Sequence, residues 1–461
     1  MEKRNSFSSS LGFVLAAAGS AVGLGNIWRF PYLAAKDGGG LFLVIYIVLA
    51  LTFGFTMIVS ETAIGRKTKQ SALTAYGKLH KPSKWIGVFA CLVPFIILPY
   101  YCVIGGWVLK YCTVFLTGGG AAAAQDGYFT GFISGPWQPL VFDIIFLAAT
   151  AFVIYLGVNK GIESLSKVLM PALLVMVIGI SIFSLTIKGE ERTGLDGLKV
   201  YLIPDFANIT VKSLFVTVMD AMGQLFYSIS VAMGIMITYG SYFRDDSNLM
   251  KSVNQIEIFD TVVAFLAGIM IVPAVYVFLG PEGMGAGPGL MFVALPKVFA
   301  AMGPIGNVIG AVFFVMVLLA ALTSAMSVLE AVVASLIDAF GWSRRKAVII
   351  ESTIALVIGI IICLGYNVLY FEFTLPNGTV AQILDLMDYT SNNILMPVVA
   401  IGTCILVGWI VGADIVIKEA TKNGEKFGRK GMYVVMIKWI APVLLLFLLL
   451  GAFGVFNKVM G

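Results

Sequence analysis

Runs of about twenty apolar residues recur along the whole chain, too many for any water-soluble core to absorb. In lipid, continuous apolar runs of that length can satisfy their backbone polar groups only as helices. The composition agrees, with 59% hydrophobic and 12% charged residues. Eleven spans are legible, near residues 11–36, 40–65, 86–116, 138–156, 162–187, 212–241, 255–280, 305–337, 347–366, 382–410 and 433–456. The fold class is therefore an all-α polytopic membrane protein with eleven transmembrane helices. The stretch "KR" followed by "LGFVLAAAGSA" imitates a secretory signal, but "VGLGNIWRFPY" carries the helix onward.

Charge sets the orientation. Of the 30 Lys and Arg residues, twenty fall in segments on the N-terminal side of the bilayer and seven on the opposite side; Arg29, Lys110 and Lys438 lie in or at spans. This bias predicts a multi-pass plasma-membrane protein with a cytoplasmic N-terminus. It also accounts for the net charge of +5 without a nucleic-acid partner. The five cysteines sit in apolar runs without zinc-ligand spacing, and the single histidine, His80, lies in a Lys-rich loop. That inventory argues against a His-based metal site or His-dependent nucleophilic catalysis, so the chain does not read as an enzyme.

Two spans depart from the Leu, Ile, Val and Phe pattern. Span 1 is interrupted by "GSAVGLGN" (19–26) and span 6 by "YSISVAMG" (227–234). Glycine costs about 1 kcal/mol per position in a helix. A lone pair of small residues would indicate close helix packing. Clusters at matching places in two halves instead point to a binding site between inverted repeats. The expected organisation is a cytoplasmic segment (1–10), a first five-helix repeat (11–187), an extracellular connection (188–211), a second five-helix repeat (212–410), and a cytoplasmic loop with helix 11 (411–461). Each break frees N–H groups that attract anions and C=O groups that attract cations.

Eight segments then carry a family resemblance: "GSAVGLGNIWRFPY" (19–32), "GGGLFLVIY" (38–46), "ETAIGR" (61–66), "YY" (100–101), "ITYGSY" (237–242), "GPGLMFVALP" (287–296), "LAALTSAMS" (319–327) and "MDY" (387–389). In order and spacing the chain resembles the neurotransmitter:sodium symporter family, and within it the bacterial amino-acid transporters. The resemblance implies two inverted five-helix repeats with discontinuous helices 1 and 6. It also implies sodium-coupled symport of a neutral L-amino acid by alternating access, in a monomer or homodimer embedded in the lipid bilayer.

The resemblance places two sodium ions. Site B matches Gly19, Val22, Ala320, Thr323 and Ser324. Thr323 and Ser324 are adjacent hydroxyls in an apolar span and suit a hard cation; bonding back to their own helix is the alternative. Site A matches Ala21, Asn26, Ser228 and Asp260, which stands where the family usually has asparagine. Ala264 occupies the serine position of chloride-dependent members. Asp260 then supplies both a sodium ligand and the fixed negative charge, so chloride is not required. A carboxylate that snorkels to the nearby membrane surface is the alternative.

For substrate, the carboxylate is expected against the N–H groups of Leu24 and Gly25, next to Gly23 and beside Tyr101. The amine would meet carbonyls near Ala21, Tyr227 and Ser228, with Ser230. Ser20, Ile97, Tyr227, Met233, Ala325 and Val328 would form the side-chain pocket. Without a charged group, it favours a bulky hydrophobic or aromatic amino acid. A small neutral amino acid or a non-amino-acid osmolyte is the alternative; Ser20, where a carboxylate would be needed, argues against amines. Arg29 with Asp388, and Arg4 with Asp338 beside Phe7 and Tyr242, match the family's outer and inner gates. Gly161 and Pro171 have the spacing by which the family unwinds helix 5.

Overall fold

The computed structural model describes residues 6–204, 206, 209–284 and 288–456. Among them, nine helices are long and apolar enough to cross a membrane: Gly40–Thr68, Lys81–Leu116, Gln138–Tyr155, Val158–Thr186, Leu249–Leu279, Pro304–Phe340, Arg344–Leu364, Ile383–Ile410 and Lys430–Ala452. Ser10–Ala21 and Gly25–Lys36 are together apolar enough for a tenth, if the pair, bent by 55° at the break between them, is one span. The sixth span expected from the sequence does not form one such helix. Val211–Ser228 and Ile235–Tyr242 are separated by the irregular residues 229–234. The first of these also carries Lys212 and Asp220, so neither half is a sufficient apolar crossing.

The two breaks have different local causes. At the first, Val22 leaves the helical region with ψ of 86°, while its N–H still donates to the Ala18 carbonyl at 2.7 Å. At the second, Ser230, Ala232 and Gly234 adopt φ of 54°, 61° and 72°. For Ser and Ala that conformation costs about 1–2 kcal/mol each, so surrounding contacts must hold it. One of them is Glu61, a fully buried carboxylate on the Gly40–Thr68 helix. Its Oε1 accepts the Ala232 N–H at 2.6 Å. A side-chain acceptor thus satisfies a backbone donor that the broken helix cannot.

Past the break, Ile235–Tyr242 lies against the Gly40–Thr68 helix almost backbone to backbone. A Cβ at Gly65 would fall 1.9 Å from the Ile237 carbonyl oxygen, and one at Gly240 would fall 2.3 Å from the Thr62 carbonyl oxygen. Small residues permit this approach where lipid gives no hydrophobic drive for helices to associate. Elsewhere the bundle is cemented by aromatic packing, as between Phe115 of Lys81–Leu116 and Phe314 of Pro304–Phe340, stacked at 5.2 Å. The described strands form only a hairpin, Phe373–Thr374 with Val380–Ala381.

Gly240→Ala should therefore lower stability by about 1–3 kcal/mol through overpacking. Gly179→Ala, on a helix face with nothing within 4 Å, should be neutral or slightly stabilising; thermal unfolding in detergent distinguishes the two. Glu61→Ala should cost about 1–3 kcal/mol by stranding the Ala232 N–H. Glu61→Gln, which keeps an acceptor, should cost less in the same assay.

Candidate functional site

The two breaks face each other across a narrow pocket with about 30 Å³ of free space. The first contributes Ser20, Ala21, Gly23, Leu24, Gly25 and Asn26. The second contributes Tyr227, Ser228, Ser230 and Met233, with Ile235 beyond it. Ile97 and Tyr101 project from Lys81–Leu116, and Ser324 and Val328 from Pro304–Phe340. Every position expected to contact substrate lines this space except Ala325, which is fully buried. Ser324 and Val328, one turn apart, form the lining face of their helix, and the short Ala325 side chain packs within the bundle.

Glycine is required at two places in the lining. A Cβ at Gly23 would lie 2.9 Å from the Ser324 hydroxyl and 3.4 Å from that of Tyr101. One at Gly25 would lie 2.8 Å from the Tyr227 ring. The backbone of the first break is therefore exposed to the pocket at close range. The buried Tyr101 hydroxyl completes no well-aligned hydrogen bond, with the Ser324 hydroxyl and Leu24 amide as its polar neighbours. This is a set of donors with free capacity, suited to an anionic group. The Ser20 hydroxyl donates to Ser230 at 3.0 Å and ties one break to the other.

Beside the pocket lies a cluster of buried oxygens. Asn26 Nδ2 donates to Asp260 Oδ1 at 2.8 Å. The Ser228 hydroxyl lies within hydrogen-bond distance of both Asn26 Oδ1, 2.9 Å, and Asp260 Oδ1, 2.8 Å. Asp260 is 1% exposed, so it does not snorkel to the surface. Its Oδ2 and the neighbouring Tyr46 hydroxyl complete no well-aligned hydrogen bond. A buried carboxylate with an uncommitted oxygen, among amide and hydroxyl oxygens, fits a small hard cation.

The second oxygen set is assembled differently. The Ser324 hydroxyl reaches the Gly19 and Ser20 carbonyls at 3.3 and 3.1 Å. The Thr323 hydroxyl bonds back to Leu319 and Ala320 of its own helix, both at 3.0 Å. Its Cβ nevertheless lies 3.2 Å from the β position of Gly19, next to the break. Gly19, Ala320, Thr323 and Ser324 therefore converge, with Val22 at the end of the same turn. Carbonyl and hydroxyl oxygens alone again suit a hard cation once the hydroxyl protons turn away.

At the face carrying residues 6–9, the path is plugged. Phe7 is 1% exposed, lies edge-on to Tyr242 at 6.2 Å, and donates its N–H to the Tyr242 carbonyl at 3.1 Å. The Tyr242 hydroxyl donates to Glu330, which pairs with Arg344; both distances are 2.6 Å. Asp338 accepts from the Ser71 N–H and hydroxyl at 2.6 Å. Arg4 lies outside the described residues. Val158–Thr186 runs as one helix through Gly161 and Pro171, with Val158–Glu163, around Gly161, wound in the wider π form.

At the opposite face a second cavity holds Arg29 together with Asp220, Tyr227 and Asn392. Arg29 and Asp388 lie within electrostatic reach of each other, yet no ion pair joins them. The guanidinium points toward Gly223, 3.6 Å from that residue's β position, while Asn392 occupies Asp388 at 2.6 Å. The expected outer pair is thus apart here.

Some contributing residues escaped the sequence reading. Glu61 holds the second break, and Gln224 Nε2 donates to the Gly25 carbonyl at 3.1 Å, bridging the half-helices. Glu163 accepts the Ser8 N–H at 2.7 Å and pairs with Lys167, fixing the segment next to Phe7. Each is a polar residue in or at an apolar span, which is itself the signal.

The profile of the sodium:neurotransmitter symporter family matches residues 4–121 and 138–459. An uncharacterised sodium-dependent transporter of Bacillus subtilis, YhdH, is 34% identical, covering 99% of each chain. Another, of Methanocaldococcus jannaschii, is 33% identical over 96% of this chain and 89% of its own. The crystal structure of MhsT in complex with L-phenylalanine has 35% identity and a TM-score of 0.85, covering 98% of this chain and all of that one. The chain belongs to the sodium:neurotransmitter symporter family of multi-pass, sodium-dependent membrane transporters.

Proposed function

We propose that this protein is a sodium-coupled symporter of bulky hydrophobic or aromatic L-amino acids that works without chloride. The observation that carries the reading is the pocket between two helix breaks. Its backbone donors and Tyr101 suit a carboxylate, the carbonyls near Ala21 and Tyr227 suit an ammonium group, and the Ile97, Met233 and Val328 side suits an apolar side chain. The likeness to MhsT, seen with L-phenylalanine, supports an aromatic substrate. No charged side chain projects into this lining, so an acidic or basic substrate side chain would go unpaired.

Two sodium ions travel with the amino acid in this reading. One is held by Ala21, Asn26, Ser228 and Asp260, the other by Gly19, Val22, Ala320, Thr323 and Ser324. Each sodium raises affinity for substrate, and substrate raises affinity for sodium, because all three share the two breaks. Asp260 supplies the negative charge that would otherwise come from chloride. The protein acts as a carrier and not as an enzyme. The bent pair and the split helix at 229–234 count as spans 1 and 6 of eleven, in two inverted five-helix repeats. The N-terminus faces the cytoplasm, so the Phe7 plug is the inner gate and the Arg29 cavity the outer vestibule. Alternate closure of the two gates moves the substrate across.

Purified protein offered a panel of labelled L-amino acids should bind phenylalanine, tryptophan or leucine in sodium and none in potassium, with binding unchanged when gluconate replaces chloride. Binding that persists in potassium defeats the coupling; loss in gluconate defeats the role given to Asp260. Asp260→Asn should weaken sodium dependence of binding about tenfold or more, the loss of one charge-assisted contact of about 1.5–3 kcal/mol. Equal sodium dependence in the variant and the parent would remove Asp260 from the site.

A further inference from the structure

The outer ends of the two broken helices are joined by a group that transport chemistry leaves unused. Lys36 closes Gly25–Lys36, and its Nζ donates to Asp220 Oδ2 of Val211–Ser228 at 2.7 Å. Asp37, just past the end of the span, places Oδ1 3.7 Å from the same ammonium. Its side chain is only 6% exposed, and its Oδ2 has no hydrogen-bond partner. Two carboxylates therefore share one ammonium, and the more buried one holds the poorer contact. Asp220 also lines the vestibule that contains Arg29.

We propose that Lys36, Asp37 and Asp220 form a proton-sensitive clasp across the mouth of the vestibule, tight when Asp37 is neutral and loosened when it is charged. The physical reason is competition. An ionised Asp37 repels Asp220 and draws Lys36 toward itself; a protonated one leaves Lys36 to Asp220 alone. Burial, and then the charge of Asp220, push the Asp37 carboxyl up to about 7, against the pull of Lys36. The change thus falls near neutral pH. Asp196 and Lys199 on the adjoining Gly194–Leu202 helix pair with each other at 2.9 Å. Lys212 lies two turns from Asp220 on the same helix, and Arg29 faces the vestibule. The charged residues of Leu249–Leu279 are Lys251, Glu257 and Asp260, all in its first half; Tyr32 lies one turn before Lys36.

This inference concerns the vestibule only and is independent of which amino acid is carried. The reporter is Met219→Cys, a position that lines the vestibule, labelled with a bulky hydrophilic maleimide in the purified full-length protein without substrate. Dividing its labelling rate by that of the same reporter with Asp37→Asn cancels the intrinsic rise of thiolate with pH. The ratio should be near one at about pH 6 and rise roughly threefold or more by about pH 8, as a group titrating near 7 ionises. A second variant, Lys36→Met, dissolves the clasp without altering Asp37. It should label faster than Asp37→Asn at both pH values. A ratio that stays flat, or Lys36→Met labelling at the Asp37→Asn rate, overturns the proposal. Sodium-dependent binding is measured separately and can fail without affecting this result.

Discussion

A helix interrupted inside a bilayer must find partners for every backbone group the interruption frees, and this requirement governs the whole molecule. Near residues 22–24 the demand is left partly open: Gly23 and Gly25 bring bare backbone to the pocket, and Tyr101 stands beside it without a committed bond. Near residues 229–234 the demand is met from outside the helix, by Glu61 on the Ala232 N–H. One break is available to a ligand, and the other is braced by the scaffold. The brace works only because Gly65 and Gly240 let the helix beyond the break lie directly on the helix that carries Glu61.

That division explains what could be read from residue order. The first break is legible because glycine is the weakest helix former short of proline, and three of them crowd residues 19–25. The second is legible only as a run of small and hydroxyl residues. Its left-handed positions fall on Ser230 and Ala232, which local propensity would never assign there. The tertiary contact with Glu61, 171 residues away, supports what the local sequence does not. The carboxylate itself was in plain view in "ETAIGR", but its partner is a backbone amide, and amides carry no sequence signal. Asp260 was readable for the opposite reason. A lone acid deep in an apolar run has few uses, and its Asn26 and Ser228 neighbours lie in the two interrupted segments.

The sixth span meets a related physical limit. Hydropathy reads 212–241 as one apolar stretch, because the irregular residues 229–234 are themselves mostly apolar. The chain nevertheless divides there into two pieces, the shorter only Ile235–Tyr242. Composition sees burial, and burial is preserved through the break; it cannot see that the hydrogen-bond ladder stops. Ala325 is the converse case. Its small size and its place in "LTSAMS" suggested an opening in the pocket, but helical phase turns Ser324 and Val328 to the lumen instead.

The two ends of the pocket are closed by unlike materials. On the N-terminal side, Phe7 packs on Tyr239 and Tyr242, and the ion pair of Glu330 with Arg344 lies behind them. Apolar contact of this kind is lost all at once when the rings separate. On the other side, Arg29 and Asn392 line a cavity, and Asp388 accepts from Asn392 and makes no ion pair with Arg29. Polar groups can exchange partners there at little net cost, since water replaces each lost bond. The conformation described is therefore sealed by packing at one end and only loosely held by hydrogen bonds at the other. In the proposed cycle, a substrate that gives Arg29 and Asp388 reason to pair closes the loose end first. The packed end would then open only as Phe7 and the Glu163-bound segment beside it are withdrawn together.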